Sequence, residues 1–190
     1  MKRFAFVRHG RKDGNMIAAD QITEIENSGI PGLNELLPGN NRVILHLGSM
    51  LPRTAQTVRA FQKYMERQGY ETALMIEPDK RFATEELFAQ FMAKTEVAEA
   101  SKTEGWYNAC LKFDKEFLRQ VQTDLAEAIE EIFFRSQNGD LVIAIGHTPM
   151  IEFAALYYNP YLGNRLVLKE LTGFLFEKEA GKINVIQKIG

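Results

Sequence analysis

Three short runs of apolar residues set the tightest limit on how this chain can fold. Residues 4–7 (Phe-Ala-Phe-Val) and 141–145 (Leu-Val-Ile-Ala-Ile) are continuously apolar, and residues 43–47 (Val-Ile-Leu-His-Leu) nearly so. Each is too short for a helix but suits a β-strand covered on both faces, where neither face needs polar side chains. Residues 73–76 give a weaker fourth strand. Helical patterns lie between these runs. After Thr54, the residues Val58, Phe61, Tyr64 and Met65 fall on one helix face, and Gly69 is a plausible stop. The spacing of Phe117, Leu118, Val121, Leu125, Ile129, Ile132 and Phe133 predicts a long helix over residues 111–134. Asn138-Gly139-Asp140 then turns the chain into the run at 141–145. Residues 174–176 and 183–189 flank Ala180-Gly181 and read as two strands around a turn. Strands alternating with helices in this way predict an α/β sheet with helices on both faces.

At 190 residues the chain fits a single domain over 1–190 and can bury a substantial core. A formal net charge of −2 offers no general attraction to nucleic acid or to an anionic membrane, so neither is an expected partner. Any anion site must be a local concentration of positive charge. One cysteine, Cys110, excludes an internal disulfide framework and is expected to be a small buried hydrophobe. No run approaches the roughly 18 apolar residues that span a bilayer. The apolar run at 4–7 is interrupted at once by Arg8 and His9, unlike a signal peptide. A cytoplasmic location is the expectation.

Chemistry gathers where these strands end. Arg8-His9-Gly10 follows the first run directly: arginine can hold phosphoryl oxygens, imidazole can supply a nitrogen nucleophile, and glycine permits a sharp turn. Ser49-Met50-Leu51-Pro52-Arg53-Thr54-Ala55-Gln56-Thr57 follows the second strand and opens a helix. Arg53 therefore sits near a helix N-terminus, where backbone N–H groups already favour an anion. Gly146-His147-Thr148-Pro149 follows the run at 141–145. Open α/β sheets bind ligands beyond the carboxyl ends of their strands, and His9, Arg53 and His147 are all expected at that edge. His46 lies inside a strand and is expected to be a satisfied structural histidine. The three histidines lack the spacing of a metal site, and no metal or other cofactor is expected. Residues 85–112 form a predicted helical excursion containing Phe88, Phe91, Met92, Trp106 and Tyr107. Those aromatics can simply pack on the body, or the segment can cap a site and influence substrate choice.

Together these segments resemble the histidine phosphatase superfamily, the phosphoglycerate-mutase-like proteins. The resemblance rests on Arg8-His9-Gly10, on Ser49-x-x-x-Arg53-Thr54-x-Gln56-Thr57, and on Gly146-His147 after an apolar strand, in that order. Ile22-Thr23 with Gly29, and the closing strands, add to it, while residues 85–112 match least. It implies a three-layer α/β/α sandwich with a mostly parallel central sheet. It also implies metal-independent phosphatase chemistry, with neutral His9 attacking phosphorus to form a phosphohistidine. Arg8, Arg53, His147 and Thr148 would bind the phosphoryl group. Relatives that act on phosphate esters usually carry an acid after the third strand. Here that stretch reads Asp79-Lys80-Arg81-Phe82-Ala83-Thr84-Glu85-Glu86, leaving Glu85 or Glu86 as the general acid, or both as solvated charges at a helix start. Arg11-Lys12 stands where Glu-Thr is common. The implied substrate is a phosphorylated small molecule. The alternatives are a phosphohistidine protein, mutase-type transfer, and a silent phosphate-binding module.

Overall fold

The computed structural model describes residues 1–39, 42–49, 51–75, 79–163 and 168–190. The first strand, β1 (Lys2–Arg8), leads into a two-residue hairpin, β2 (Lys12–Asp13) and β3 (Met16–Ile17), and then into α1 (Ala19–Ser28) and α2 (Pro31–Asn34). β4 (Arg42–Leu47), α3 (Pro52–Arg67) and β5 (Thr72–Met75) follow. Three helices, α4 (Glu85–Ala93), α5 (Thr95–Glu104) and α6 (Trp106–Phe113), make up the expected excursion, and α7 (Lys115–Arg135) succeeds them. The chain closes with β6 (Asp140–Gly146), α8 (Met150–Tyr158), β7 (Gly173–Glu179) and β8 (Lys182–Ile189).

Six strands form one sheet in the order β5-β4-β6-β1-β7-β8. The pairs β5–β4, β4–β6 and β6–β1 are parallel, whereas β7 runs antiparallel to both β1 and β8. The sheet is mostly parallel, as the sequence predicts. The apolar runs occupy its centre because they can be buried on both sides. Along β1, Phe4 and Phe6 enter one core with α7 and α8, while Ala5 and Val7 enter the other with α1 and α3. All four are fully buried. The period-two alternation of the strand thus feeds two cores, and burying each large apolar side chain contributes about 1.5–3 kcal/mol.

Two details differ from the sequence reading. The helix expected over 111–134 is two helices, because the Asp114 carboxylate accepts the Phe117 N–H at 3.0 Å and caps a new start at Lys115. The expected strand over 73–76 is β5, Thr72–Met75, and Ile76 lies outside the described residues. The final hairpin forms as expected, with Ala180 (φ 48°) and Gly181 (φ 81°) making its turn. Among the described residues no helix is long and apolar enough to cross a membrane.

Candidate active site

β1, β4 and β6 end at one edge of the sheet, and the chemical residues leave from those ends. The His9 N–H donates to the Gly146 carbonyl at 3.0 Å, so β1 and β6 remain joined just where His9 and His147 depart. Gly48 lets the third approach happen: a Cβ there would lie 2.2 Å from the Ile145 carbonyl oxygen, so the chain after β4 can press against β6 only without a side chain. Gly10 is held to α3 by its N–H, which donates to Thr57 Oγ1 at 3.2 Å. The loop beyond it is tied down by the Ile17 N–H to Gln56 Oε1 (2.9 Å) and the Arg11 N–H to Gln21 Oε1.

His9 is buried, and its Nδ1 lies 2.5 Å from the Gly10 carbonyl. A carbonyl only accepts, so Nδ1 carries the hydrogen and Nε2 of the neutral ring keeps its lone pair. Burial lowers the His9 pKa to about 4; the Arg53 and Arg8 charges push the same way, against the Gly10 hydrogen bond. Arg53 Nε donates to that Nε2 at 3.2 Å. Burial and the nearby Arg8 cation lower the Arg53 pKa, and Glu85 opposes them.

The His147 ring centroid is 4.7 Å from that of His9. Its Nε2 lies 2.7 Å from Ser49 Oγ and 3.0 Å from Thr54 Oγ1, and those two hydroxyls are 2.8 Å apart. Burial, followed by the His9, Arg53 and Arg8 charges, brings the His147 pKa down to about 2. Phe88 of α4 meets the His147 ring edge-on at 5.5 Å between centroids. Arg8 reaches back to the Leu168 carbonyl (2.5 Å) and pairs with Glu170 (3.4 Å), while its buried Nε has no hydrogen-bond partner among the described residues.

The two acidic candidates separate. Glu85 shares a cleft of about 330 Å³ with Asn15, Leu51, Pro52, Arg53 and Phe88. Glu86 instead lines a depression with Lys80, Thr84, Gln90 and Asp124. Its own backbone N–H and then the Thr84 hydroxyl hold its pKa below the usual value. That is the posture of a helix-capping carboxylate. The structure therefore brings Arg8, His9, Arg53, His147 and Glu85 to one edge, while Glu86 faces elsewhere. Thr148 sits at the start of the loop into α8 and borders a second cavity with Arg8. Asn15 carries no sequence signal beyond its place after the first strand; Ser49 and Thr54 belong to the second chemical segment, but that they pair with each other and with His147 is visible only in the fold.

Two other expectations meet the structure here. Cys110 is buried, and burial, reinforced by Asp114, pushes its thiol up to about 12. His46 is buried as expected; burial lowers its pKa, opposed by the Asp79 charge and a backbone hydrogen bond at Leu47, while its Nδ1 has no partner among the described residues. Its ring meets that of Phe82 edge-on at 5.5 Å between centroids. Among the described residues no group of three or more His, Cys, Asp or Glu is placed to hold a metal ion.

Comparison by sequence with family models and with curated proteins gave no match. Comparison by structure gave several. A phosphoglycerate mutase from Bacillus anthracis str. Sterne superposes with a TM-score of 0.63 at 14% identity, covering 97% of this chain and 91% of that one. A phosphoserine phosphatase from Entamoeba histolytica, solved with 3-phosphoglyceric acid, gives 0.60 at 14% identity over 100% and 98% of the two chains. At such identity the likeness is one of fold, and it runs through the whole chain.

Proposed function

We propose that this chain, which carries the phosphoglycerate mutase-like fold, is a phosphatase that hydrolyses a phosphomonoester through a phosphohistidine on His9. The observation that carries the reading is the state of His9. Its Nδ1–H is fixed on the Gly10 carbonyl, its pKa lies near 4, and an arginine N–H rests on its Nε2. A histidine in that state is a neutral nucleophile at pH 7, aimed at a position already faced by a cation.

Phosphate binding would draw Arg53 from Nε2 onto the nonbridging oxygens, and Arg8 Nε, without a partner among the described residues, supplies another donor. Nε2 then attacks phosphorus, the P–O bond to the alcohol breaks, and the departing oxygen takes a proton from Glu85. Water next attacks the phosphohistidine and gives a proton back to Glu85, the P–O bond forms as the P–N bond breaks, and phosphate leaves with Nε2 regaining its lone pair. His147 contributes from the side as a neutral ring whose Nε2 is engaged by Ser49 and Thr54. Phosphoryl transfer asks mainly for position and charge stabilisation, and this arrangement offers both. The names of the two structural relatives describe chemistry on phosphate esters, which agrees with the reading.

The test is chemical trapping. Alkaline quenching during turnover of p-nitrophenyl phosphate should retain protein-bound phosphate that acid releases, as a P–N bond requires. His9→Ala should abolish both the trapped phosphate and nearly all turnover. Arg53→Ala should lower kcat/KM on the order of tenfold to a hundredfold, the loss of one charged hydrogen bond of about 1.5–3 kcal/mol. Unchanged turnover in His9→Ala would end the mechanism.

A further inference from the structure

Behind the His147 ring, three polar atoms close a triangle. Nε2 lies 2.7 Å from Ser49 Oγ and 3.0 Å from Thr54 Oγ1, and the two hydroxyl oxygens are 2.8 Å apart. All three residues are buried, and the Leu51 N–H donates to Ser49 Oγ at 3.2 Å. Both hydroxyls come from the passage between β4 and α3, so one short segment grips a single nitrogen of a ring that follows β6.

Counting hydrogens decides which tautomer this cluster holds. Each hydroxyl has one hydrogen to give, and among the described residues neither has an acceptor outside the triangle. If Nε2 keeps its lone pair, one hydroxyl donates to it, the second donates to the first, and every hydrogen is used. If Nε2 carries the hydrogen, the two hydroxyls cannot both donate to each other, and one buried O–H is left facing an N–H. An unmade buried hydrogen bond is the costlier arrangement, so the ring hydrogen belongs on Nδ1. Burial keeps the ring neutral at ordinary pH, with a pKa near 2, so these donor and acceptor roles persist.

Nδ1 makes no hydrogen bond among the described residues and is not one of their sealed, unpartnered polar atoms. The ring that carries it lies 4.7 Å from that of His9 and feels the charges of Arg53 and Arg8. His9 thus brings a lone pair to the site, and His147 brings an N–H beside it.

We propose that Ser49 and Thr54 are positioning residues that fix His147 as its Nδ1–H tautomer, and that this N–H donates to a nonbridging phosphoryl oxygen in the transition state. The opposite tautomer would turn a lone pair on that oxygen and repel it. The donation rests on the phosphatase reading above, whereas the tautomer does not.

The experiment reads the tautomer and the turnover separately. Two-bond ¹H–¹⁵N spectra of protein labelled at its imidazole nitrogens distinguish a protonated ring nitrogen from a bare one, and His147→Asn identifies the signals. The wild type at pH 7 should show hydrogen on Nδ1 and a bare Nε2. Ser49→Ala or Thr54→Val alone should keep that pattern, because the remaining hydroxyl still reaches Nε2. The double variant Ser49→Ala/Thr54→Val should lose it. Its kcat/KM for p-nitrophenyl phosphate should fall on the order of tenfold to a hundredfold, as loss of a hydrogen bond to a charged oxygen requires. Ser49→Ala/Thr54→Ser should restore both readouts. A merely structural role would lower turnover in the double variant with Nδ1–H unchanged, and that outcome overturns the proposal. Hydrogen on Nε2 in the wild type overturns it directly, and this measurement stands even where the double variant fails to fold. A double variant whose hydrogen has moved but whose kcat/KM equals that of the wild type overturns the donation. A wild type with Nδ1–H that turns over no phosphomonoester would defeat the phosphatase reading, and the donation with it, while the tautomer assignment stands.

Discussion

At the scale of single residues, Glu85 is the group whose role depends most on the substrate. It stands in the cleft with Arg53, close enough for its charge to oppose the lowering of the Arg53 pKa. If it protonates the leaving oxygen, Glu85→Gln should depress hydrolysis of an alkyl phosphate far more than that of p-nitrophenyl phosphate. An alkoxide needs the proton, whereas p-nitrophenolate leaves without it. Glu86→Gln should leave both rates within about twofold, since its carboxylate faces Thr84 away from the cleft. Equal small effects from both variants would remove the acid and favour a phosphohistidine substrate, whose P–N bond asks least of a proton donor. His9, Arg53 and His147 were legible in the sequence because each follows a buried strand, and strand ends fix direction as well as position. Burial of Glu152 was not: a lone acid inside Met150–Tyr158 reads as a solvated charge until the fold encloses it. The Ser49–Thr54–His147 cluster was likewise hidden, since it depends on how closely the chain after β4 approaches β6.

At the scale of elements, hydrophobic periodicity revealed faces better than ends. The stripe from Phe117 to Phe133 was visible, but a stripe does not say where a helix begins. Asp114 decides that: its side chain takes the Phe117 N–H and also pairs with Lys94 at 2.5 Å. The same residue lies between α6 and α7, and its ion pair ties that junction to Lys94 at the end of α4. Asp114→Ala should therefore cost about 1 kcal/mol for the lost cap. A thermal melt should show this as a decrease of roughly 2–4 °C in Tm for a chain of this size. Asp114→Asn, which keeps an accepting oxygen, should recover most of the loss, and an unchanged Tm in Asp114→Ala would show that the cap does not hold α7. The hairpin β2–β3 escaped the sequence altogether, because two-residue strands have no period to detect. It is positioned instead by Gln56, whose side chain takes the Ile17 N–H.

At the scale of the whole molecule, burying the site ties stability to pH. His9 titrates near 4 and His147 near 2, and burial lowers His46 as well, whereas a histidine in the unfolded chain titrates near 6.5. Between those values the unfolded chain binds protons that the folded chain refuses. The stability that neutral histidines permit is complete above about pH 6.5 and is lost as pH falls toward 4. Glu152 has the opposite sign. Its folded pKa of about 7 lies above the usual carboxylate value, so the folded state holds a proton there that the unfolded state has released. Its contribution is present at acid pH and lost as pH rises through 7. His9 and His147 together outweigh one carboxylic acid, so near pH 5 unfolding should take up roughly one proton, a slope of about 1.5 kcal/mol per pH unit, to which the lowered His46 adds in the same direction. Urea unfolding at pH 7.5, 6 and 5 should show stability falling with pH across that window. His9→Asn should flatten the slope by about 1 kcal/mol per pH unit, because one refused proton disappears from the difference. Glu152→Gln should steepen it, since the compensating group is gone. A stability that stays level from pH 6.5 to 5, or the same slope in both variants, would mean that the site histidines are not held neutral by the fold. The nucleophile would then lack the state on which the proposed chemistry depends.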